Sequence, residues 1–322
     1  MSIPRCLKVT RKPLRAAILT ILCGICVQGQ SHVPEPFVNL GDSSFLDGLA
    51  GQGLLVEQFV DISHYGRIAN AMGKTVPRSS SVNSIGAINH IAWITHRRIL
   101  GALYGIEVLG VEAYADAGAQ GQRGGFGDMT VSPLILQWSK RRVFGIPIEQ
   151  RFDLDVNLPV GKYSRTPGVN LGLNAYSVHP YYTITAFPAK RMETSWRVNY
   201  LWNSQNNSPP ISTQARSIQA GQAVHFNATL GFNVYKHLWI GANGYYLAQI
   251  SDGRINGVPL PNSPEQVRAI GPGMVWFGAR WRFFVNEYHE LGALNRPTGE
   301  VVVLRINTSF GEAKQLTAPN RQ

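Results

Sequence analysis

Apolar and polar residues alternate in several segments of the chain, and this period of two constrains the fold more than any other feature. In 222–234 one set of alternate positions is apolar, and it consists of Val224, Phe226, Ala228, Leu230, Phe232 and Val234. The segments 146–158, 176–186 and 195–203 repeat this pattern. Because successive side chains of a β-strand point to opposite faces, each segment is predicted to be a strand with one apolar face. A soluble sandwich and a transmembrane barrel both fit such strands.

The spacing of the predicted strands distinguishes these two architectures. Twelve strands are predicted, at 54–65, 83–95, 100–114, 128–138, 143–159, 175–187, 192–203, 220–235, 238–251, 268–280, 283–291 and 300–310. Long connections alternate with short ones, and the long ones are 66–82, 115–127, 160–174, 204–219, 252–267 and 292–299. An even-stranded barrel with short periplasmic turns and long outer loops requires this alternation. The sequence therefore predicts an all-β fold, a transmembrane antiparallel β-barrel of about 12 strands over 53–310, surrounded by the lipid and lipopolysaccharide of a bacterial outer membrane.

The two ends of the chain differ in character from the predicted barrel. Five basic residues precede an apolar run at 16–27, which is the pattern of a cleaved secretory signal peptide, and we expect cleavage after Gly29. Residues 30–52 are predicted to form an N-terminal periplasmic or lumenal segment, and 311–322 a disordered C-terminal tail. All three cysteines lie within 1–29, so the expected mature chain contains none.

Composition weakens a nucleic-acid interpretation of the basic net charge. Without the five basic residues of the signal, 25 Lys and Arg remain against 19 Asp and Glu, so the expected excess falls from eleven to six. The charged fraction of 15% is also below the roughly 25% typical of soluble proteins. We therefore expect no nucleic-acid partner, and the low charge favours a membrane barrel.

The sequence lacks the common catalytic motifs. It contains no GxSxG elbow, no HExxH zinc motif and no phosphate-binding loop. A phospholipase-like hydrolase on a twelve-stranded barrel is an alternative, but it requires a Ser/His pair on the lipid face, whereas His90 and His225 are predicted to face the lumen. We expect no enzymatic activity, no cofactor and no metal site.

Strand alternation directs a set of charged and titratable side chains into the barrel, where they are candidates for lining a pore. These candidates are Glu57, Asp61, Arg151, Asp153, Asp155, Arg197, His225 and Arg305. They can form ion pairs that satisfy one another in a narrow interior, or a polar conduit that orients solutes, and the two interpretations are compatible. Twelve strands lie between the filled eight-stranded barrels and the open sixteen-stranded porins, so a narrow or partly plugged pore is predicted.

Two predicted strands do not alternate cleanly. In 128–138, strict alternation places Met129, Val131 and Ile135 on the lumen face. In 268–280, neither face is cleanly polar. Apolar side chains in the lumen need something to pack against, and a loop or an N-terminal segment folded into the lumen would provide it.

Six sequence blocks occur in the order found in a known family, the first of them formed by Phe126-Gly127-Asp128 together with 132–138. The other five are 154–163, 199–203, 244–253, 269–273 and 290–300. In this order they resemble the outer-membrane channel family often found with meta-cleavage phenol degradation pathways. The resemblance implies a monomeric twelve-stranded barrel that passes bulky small molecules, often aromatic or anionic, by passive diffusion. A diffusion channel for small organic solutes is thus the predicted function, with a hydrolase or a structural or adhesive barrel as alternatives.

Overall fold

A computed structural model describes residues 32–77, 79–166 and 168–311. The predicted signal peptide 1–29 and all but the first residue of the predicted tail 311–322 lie outside these ranges. Within the described residues, no helix has both the length and the apolar character needed to cross a membrane.

Twelve long antiparallel strands form the architecture and confirm the predicted fold class. They are β1 (Gly53–Ile68), β2 (Val82–Ile99), β3 (Ala102–Asp116), β4 (Met129–Val143), β5 (Ile146–Leu158), β6 (Ser177–Ala189), β7 (Met192–Asn203), β8 (Ala223–Tyr235), β9 (Leu238–Gln249), β10 (Gln266–Phe277), β11 (Trp281–Leu294) and β12 (Pro297–Phe310). Each strand pairs with its neighbours in sequence, and β1 pairs with both β2 and β12. This last pairing closes the sheet into a barrel and leaves no free edge.

Both ends of the barrel lie at the same mouth, since Leu54 pairs with Phe310. We name this mouth the turn end, because the connections β2–β3, β4–β5, β6–β7, β8–β9 and β10–β11, each of two or three residues, also lie there. We name the opposite mouth the loop end. By the usual rule for such barrels, the turn end faces the periplasm.

The prediction of a long connection at 292–299 is wrong. Only Asn295 and Arg296 separate β11 from β12, because β11 extends to Leu294 and β12 begins at Pro297, and both ends remain paired with the neighbouring strands β10 and β1. Asn295 adopts a φ of 54°, a conformation that asparagine tolerates in tight turns. Its side-chain amide donates to the carbonyls of Asn262 and Pro264. The connection 115–127 is likewise partly ordered, since Gln122–Phe126 pairs with the end of β3.

The outer face of the barrel carries the apolar side chains that alternation predicts. Its exposed members include Ile91, Trp93, Trp196, Val198, Leu230, Phe232, Met274 and Trp276. A soluble protein would bury such a band, whereas lipid covers it at no cost in a membrane barrel.

A β-bulge in β4 corrects the predicted placement of two apolar residues. The pairing register with β5 shifts between Val131 and Leu134, in the stretch that contains Pro133. Met129 and Val131 therefore pair with the outward residues of β5, while only Ile135 turns into the lumen. Proline lacks the amide proton that a ladder requires, so a bulge is where it is expected within a sheet.

The inner face of β10 is apolar because the N-terminal segment packs against it. Val275 and Phe277 belong to a buried cluster with Phe45 and Leu46 of that segment. Nearer the loop end, Val267 belongs to a second buried cluster that Val38 and Leu40 of the segment pack against. The lack of a polar face in 268–280 thus follows from burial inside the barrel.

A candidate solute conduit beside the N-terminal segment

Residues 32–52, which we call the N-terminal segment, run through the lumen from the loop end to the turn end. At the loop end, the Glu35 carboxylate accepts a hydrogen bond of 2.8 Å from the Asn203 amide. At mid-height, Tyr288 donates to the Gly41 carbonyl at 2.8 Å. At the turn end, the segment continues directly into β1 at Gly53. The segment therefore occupies part of the lumen over the whole height of the barrel.

The segment is held by barrel side chains rather than by strand pairing. Asn227 on β8 accepts from the Gly41 amide at 3.2 Å and donates to Asn39 at 2.7 Å. Closer to the turn end, the Gly48 amide donates to Thr185 at 2.9 Å, and Gln137 donates to the Gly48 carbonyl at 3.0 Å. Because these bonds satisfy buried backbone groups, a chain without regular secondary structure is stable in the lumen.

Asp47 makes the strongest contact between the segment and the barrel wall. Its two carboxylate oxygens accept from Nε and Nη2 of Arg197, at 2.8 and 2.6 Å, in the forked geometry that suits a guanidinium. Arg151 adds a hydrogen bond of 3.1 Å to the Asp47 carbonyl and lies 3.7 Å from its carboxylate. Asp47 and Arg197 are buried, and Arg151 is mostly buried, with 12% of its side chain exposed. A buried, forked ion pair of this kind fixes the height of the segment in the barrel.

A space that is partly open to solvent remains between the segment and the opposite wall of the barrel. It reaches from Ile94 and Ser309 near the turn end to Val111 and Asn157 near the loop end. Every strand except β9 and β10 contributes to its lining, because the segment packs against those two strands. We call this space the conduit.

The walls of the conduit combine an apolar surface with charged groups of both signs. The apolar part lies mostly on β1 to β4 and includes Leu55, Phe59, Ile88, Leu109 and Ile135. The basic part is formed by the guanidinium groups of Arg151, Arg197, Arg282 and Arg305. The acidic part is formed by Glu57, Glu107 and Asp155. A solute with an apolar body and a polar or charged group finds complementary surface along this path.

Two contacts organise the charged groups of the lining. His90 bridges two carboxylates, with Nδ1 2.8 Å from Glu57 and Nε2 3.0 Å from Glu107. The Arg305 guanidinium stacks on Phe284, 3.6 Å from the ring centre, and lies 3.8 Å from Glu57. Stacking and pairing hold these groups in fixed positions, so they present a defined pattern of charge to the conduit.

The structure brings six of the eight predicted pore candidates together on the conduit, namely Glu57, Arg151, Asp155, Arg197, His225 and Arg305. The other two point inward but do not border the open space. Asp61 lies beside Asp42 of the N-terminal segment. Asp153 is fully buried and accepts from Nε of Arg151 at 2.7 Å.

Sequence reasoning missed four charged residues of the lining, namely Glu107, Arg282, Asp42 and Asp47. Glu107 lies on the inner face of β3, and the alternation of that strand would have predicted its inward direction. Arg282 falls in a predicted turn, and only the true start of β11 at Trp281 places it in the lumen. Asp42 and Asp47 lie in a segment without periodicity, so nothing in the local sequence indicates what they contact.

Family blocks outside the conduit hold the outer loops in place. Asp128 accepts hydrogen bonds of 2.9 Å from the amides of Gly161 and Leu173, so it clamps both ends of the loop between β5 and β6. Burial raises the pKa of the Asp128 carboxyl above its ordinary value, and these two hydrogen bonds oppose the rise. At the β11–β12 hairpin, Arg296 lies 3.7 Å from Glu290.

Comparison with known families is consistent with this geometry. Residues 65–306 match the family described as "Putative MetA-pathway of phenol degradation", which is about three quarters of the chain. The chain belongs to this family. The resemblance of the sequence blocks to a phenol-degradation channel family is thereby confirmed, and the β-barrel lies in the bacterial outer membrane. No curated protein matches the chain.

Several solved outer-membrane barrels are similar in structure. An outer membrane channel from Pseudomonas putida F1 superposes with a TM-score of 0.73 at 16% identity, covering 85% of this chain and all of that one. The KdgM porin gives a TM-score of 0.38 at 8% identity, over 80% of this chain and 99% of the other. Outer membrane phospholipase A from Escherichia coli gives 0.43 at 11% identity, over 79% and 92%. At such identity the first comparison shows a shared fold.

Proposed function

We propose that the protein is an outer-membrane channel through which small organic molecules, often aromatic or anionic, diffuse passively. The observation that carries this proposal is the conduit, which extends beside the N-terminal segment from one mouth of the barrel towards the other. Its apolar wall suits the body of such solutes, and its arginines suit an anionic group. The similar fold of a protein from Pseudomonas putida F1 that is itself a channel supports the proposal.

The positions of the lumenal histidines weigh against a hydrolase. His90 is held between two glutamates on the conduit, and His225 is buried on the inner face of β8. Neither lies on the lipid face, where a phospholipase would need its catalytic base. In a structural or adhesive barrel the conduit would have no use, so solute flux separates that alternative from a channel.

Planar-bilayer recordings test the proposal. Purified protein is added to bilayers bathed in potassium benzoate, in potassium chloride, or in benzyltrimethylammonium chloride. We expect discrete current steps, and a benzoate gradient is expected to give a reversal potential that shows benzoate itself permeating. Bilayers exposed to detergent alone provide the background. Current no larger than this background with every salt would refute the channel.

A further inference from the structure

The contact between Asp47 and Arg197 has the form of a ligand site filled by the protein itself. The carboxylate accepts from two adjacent nitrogens of one guanidinium, and Thr183 adds a hydrogen bond of 3.2 Å to the same carboxylate. The guanidinium stacks on the Tyr181 ring, 4.0 Å from its centre. A planar fork backed by an aromatic ring and supplemented by a hydroxyl is how proteins recognise a free carboxylate.

We propose that Arg197, with Arg151 and Thr183, forms a binding site for the carboxylate of a small organic acid. Asp47 occupies this site as a tethered substitute, and a solute carboxylate displaces it during passage. The inference rests on the proposed function, because it describes how one class of solute interacts with the conduit. In this proposal the Arg197 guanidinium recognises the solute carboxylate, and Asp47 of the N-terminal segment competes with the solute for it.

The charges at the site favour an anion once Asp47 leaves. Arg151 has a second carboxylate partner in Asp153, at 2.7 Å. Among the described residues, Asp47 is the only one whose carboxylate lies within 4.0 Å of the Arg197 guanidinium. Without Asp47, Arg197 would be a buried cation with no described carboxylate within ion-pairing distance, which is unfavourable. A solute carboxylate restores the pair, whereas a neutral solute cannot.

The site is accessible to a solute and offers a surface for its apolar body. Asp47, Arg197 and Tyr181 all line the conduit. Ile135 and Leu49 line the same space and provide apolar contact. An aromatic or aliphatic acid can thus place its carboxylate on Arg197 and its body against these side chains.

The segment that carries Asp47 is able to move without unfolding the barrel. Residues 32–52 take part in no strand pairing with the barrel, so their release breaks side-chain contacts and leaves the twelve-stranded ladder intact. Gly48, Gly51 and Gly53 lie between Asp47 and the body of β1. Glycines adopt a wide range of backbone angles, so this stretch suits a hinge.

Isothermal titration calorimetry on purified protein in detergent tests the site with benzoate as the probe and benzamide as its neutral counterpart. Asp47→Ala vacates the site, and we expect it to bind benzoate at least about tenfold more tightly than wild type, since a hydrogen bond to a charged group is worth roughly that factor. Benzamide is expected to bind neither protein measurably. The double variant Asp47→Ala/Arg197→Gln is expected to lose the gain.

Asp42→Ala is the matched control, because it removes another carboxylate of the same segment that borders the conduit but makes no ion pair with Arg197 within 4.0 Å. It is expected to bind benzoate as wild type does. If Asp47→Ala does not fold, Asp47→Asn removes the charge at nearly constant size and is expected to show the same preference for benzoate. Equal benzoate affinity in wild type and the folded Asp47 variant, or equal affinity for benzamide, would overturn the inference.

The binding experiment in detergent tests the carboxylate site, and the bilayer recording tests the channel, so the two proposals can be refuted independently. Tight benzoate binding by the Asp47 variant without any bilayer current would retain the site and refute the channel. Current with benzoate but unchanged binding in the Asp47 variant would retain the channel and refute the site.

Discussion

Replacing Gly48 by alanine should release the turn-end half of the N-terminal segment. A Cβ atom at this position would lie 2.6 Å from the Thr185 backbone nitrogen and 2.7 Å from the Glu149 carbonyl oxygen. Both atoms belong to the paired backbone of β5 and β6, which cannot give way cheaply. The segment must therefore move away from the wall.

The energetic effect follows from the contacts that such a shift breaks. Gly48 donates one hydrogen bond to Thr185 and accepts one from Gln137, at 2.9 and 3.0 Å. At about 1 kcal/mol each, their loss weakens the seated position by about 2 kcal/mol. The ratio of seated to displaced segment then falls roughly 30-fold. The neighbouring Asp47 pair opposes the shift, so displacement is expected as frequent openings rather than as permanent release.

Single-channel recording detects this change. Gly48→Ala should show larger or more frequent open levels than wild type, while the folded barrel, followed by its heat-dependent mobility on gels, is unchanged. Gly110→Ala is the matched control, because a Cβ there meets no atom within 4 Å. If folded Gly48→Ala gives the same current as wild type and Gly110→Ala, the segment does not limit the conduit and the reasoning is refuted.

Three further substitutions test other parts of the structure. Arg282→Gln removes a guanidinium from the turn-end lining and should lower the permeability ratio of anions to cations, measured by reversal potential in a salt gradient; an unchanged ratio would remove Arg282 from the ion path. Asp128→Ala leaves two loop amides without their acceptor and should speed hydrogen exchange in 159–176, at a cost of about 1–3 kcal/mol in local stability; unaltered exchange would contradict the clamp. Tyr288→Phe removes the hydrogen bond to the Gly41 carbonyl and should speed exchange around Gly41 by roughly five- to tenfold, for about 1 kcal/mol, with the barrel strands unaffected; equal exchange in both proteins would show that this bond does not seat the segment.

The period of two was enough to predict the barrel, because lipid on one side and a polar lumen on the other impose it on almost every strand. The alternation fails where another segment of the chain lies in the lumen or where the pairing of two strands is interrupted by a bulge. The inner face of β10 is apolar since the N-terminal segment covers Val275 and Phe277. The bulge beside Pro133 reverses the faces of Met129 and Val131, and alternation alone cannot anticipate a one-residue shift.

Strand alternation also predicted part of the candidate site. Alternation points Arg151 and Arg197 inward, but it cannot state what they bind. Asp47 meets Arg197 across 150 residues of sequence, and it lies in a segment without any repeating pattern. The two-residue turn at Asn295 was also missed. The sequence of 292–299 contains Gly, Asn and Pro, which are common in long loops as well as in tight turns, so the sequence does not show where the two strands end.

The central claim is that ions and solutes pass through the conduit beside the N-terminal segment, and modification of a cysteine in its wall tests this most directly. The chain has no cysteine after Cys26, so Thr130→Cys on the conduit introduces a unique thiol into residues 30–322. Val131→Cys, on the opposite face of the same strand, is the control. We predict that a charged, membrane-impermeant methanethiosulfonate reduces the single-channel current of Thr130→Cys and leaves that of Val131→Cys unchanged. An unchanged current through Thr130→Cys, with mass spectrometry confirming that the thiol has reacted, would contradict the account.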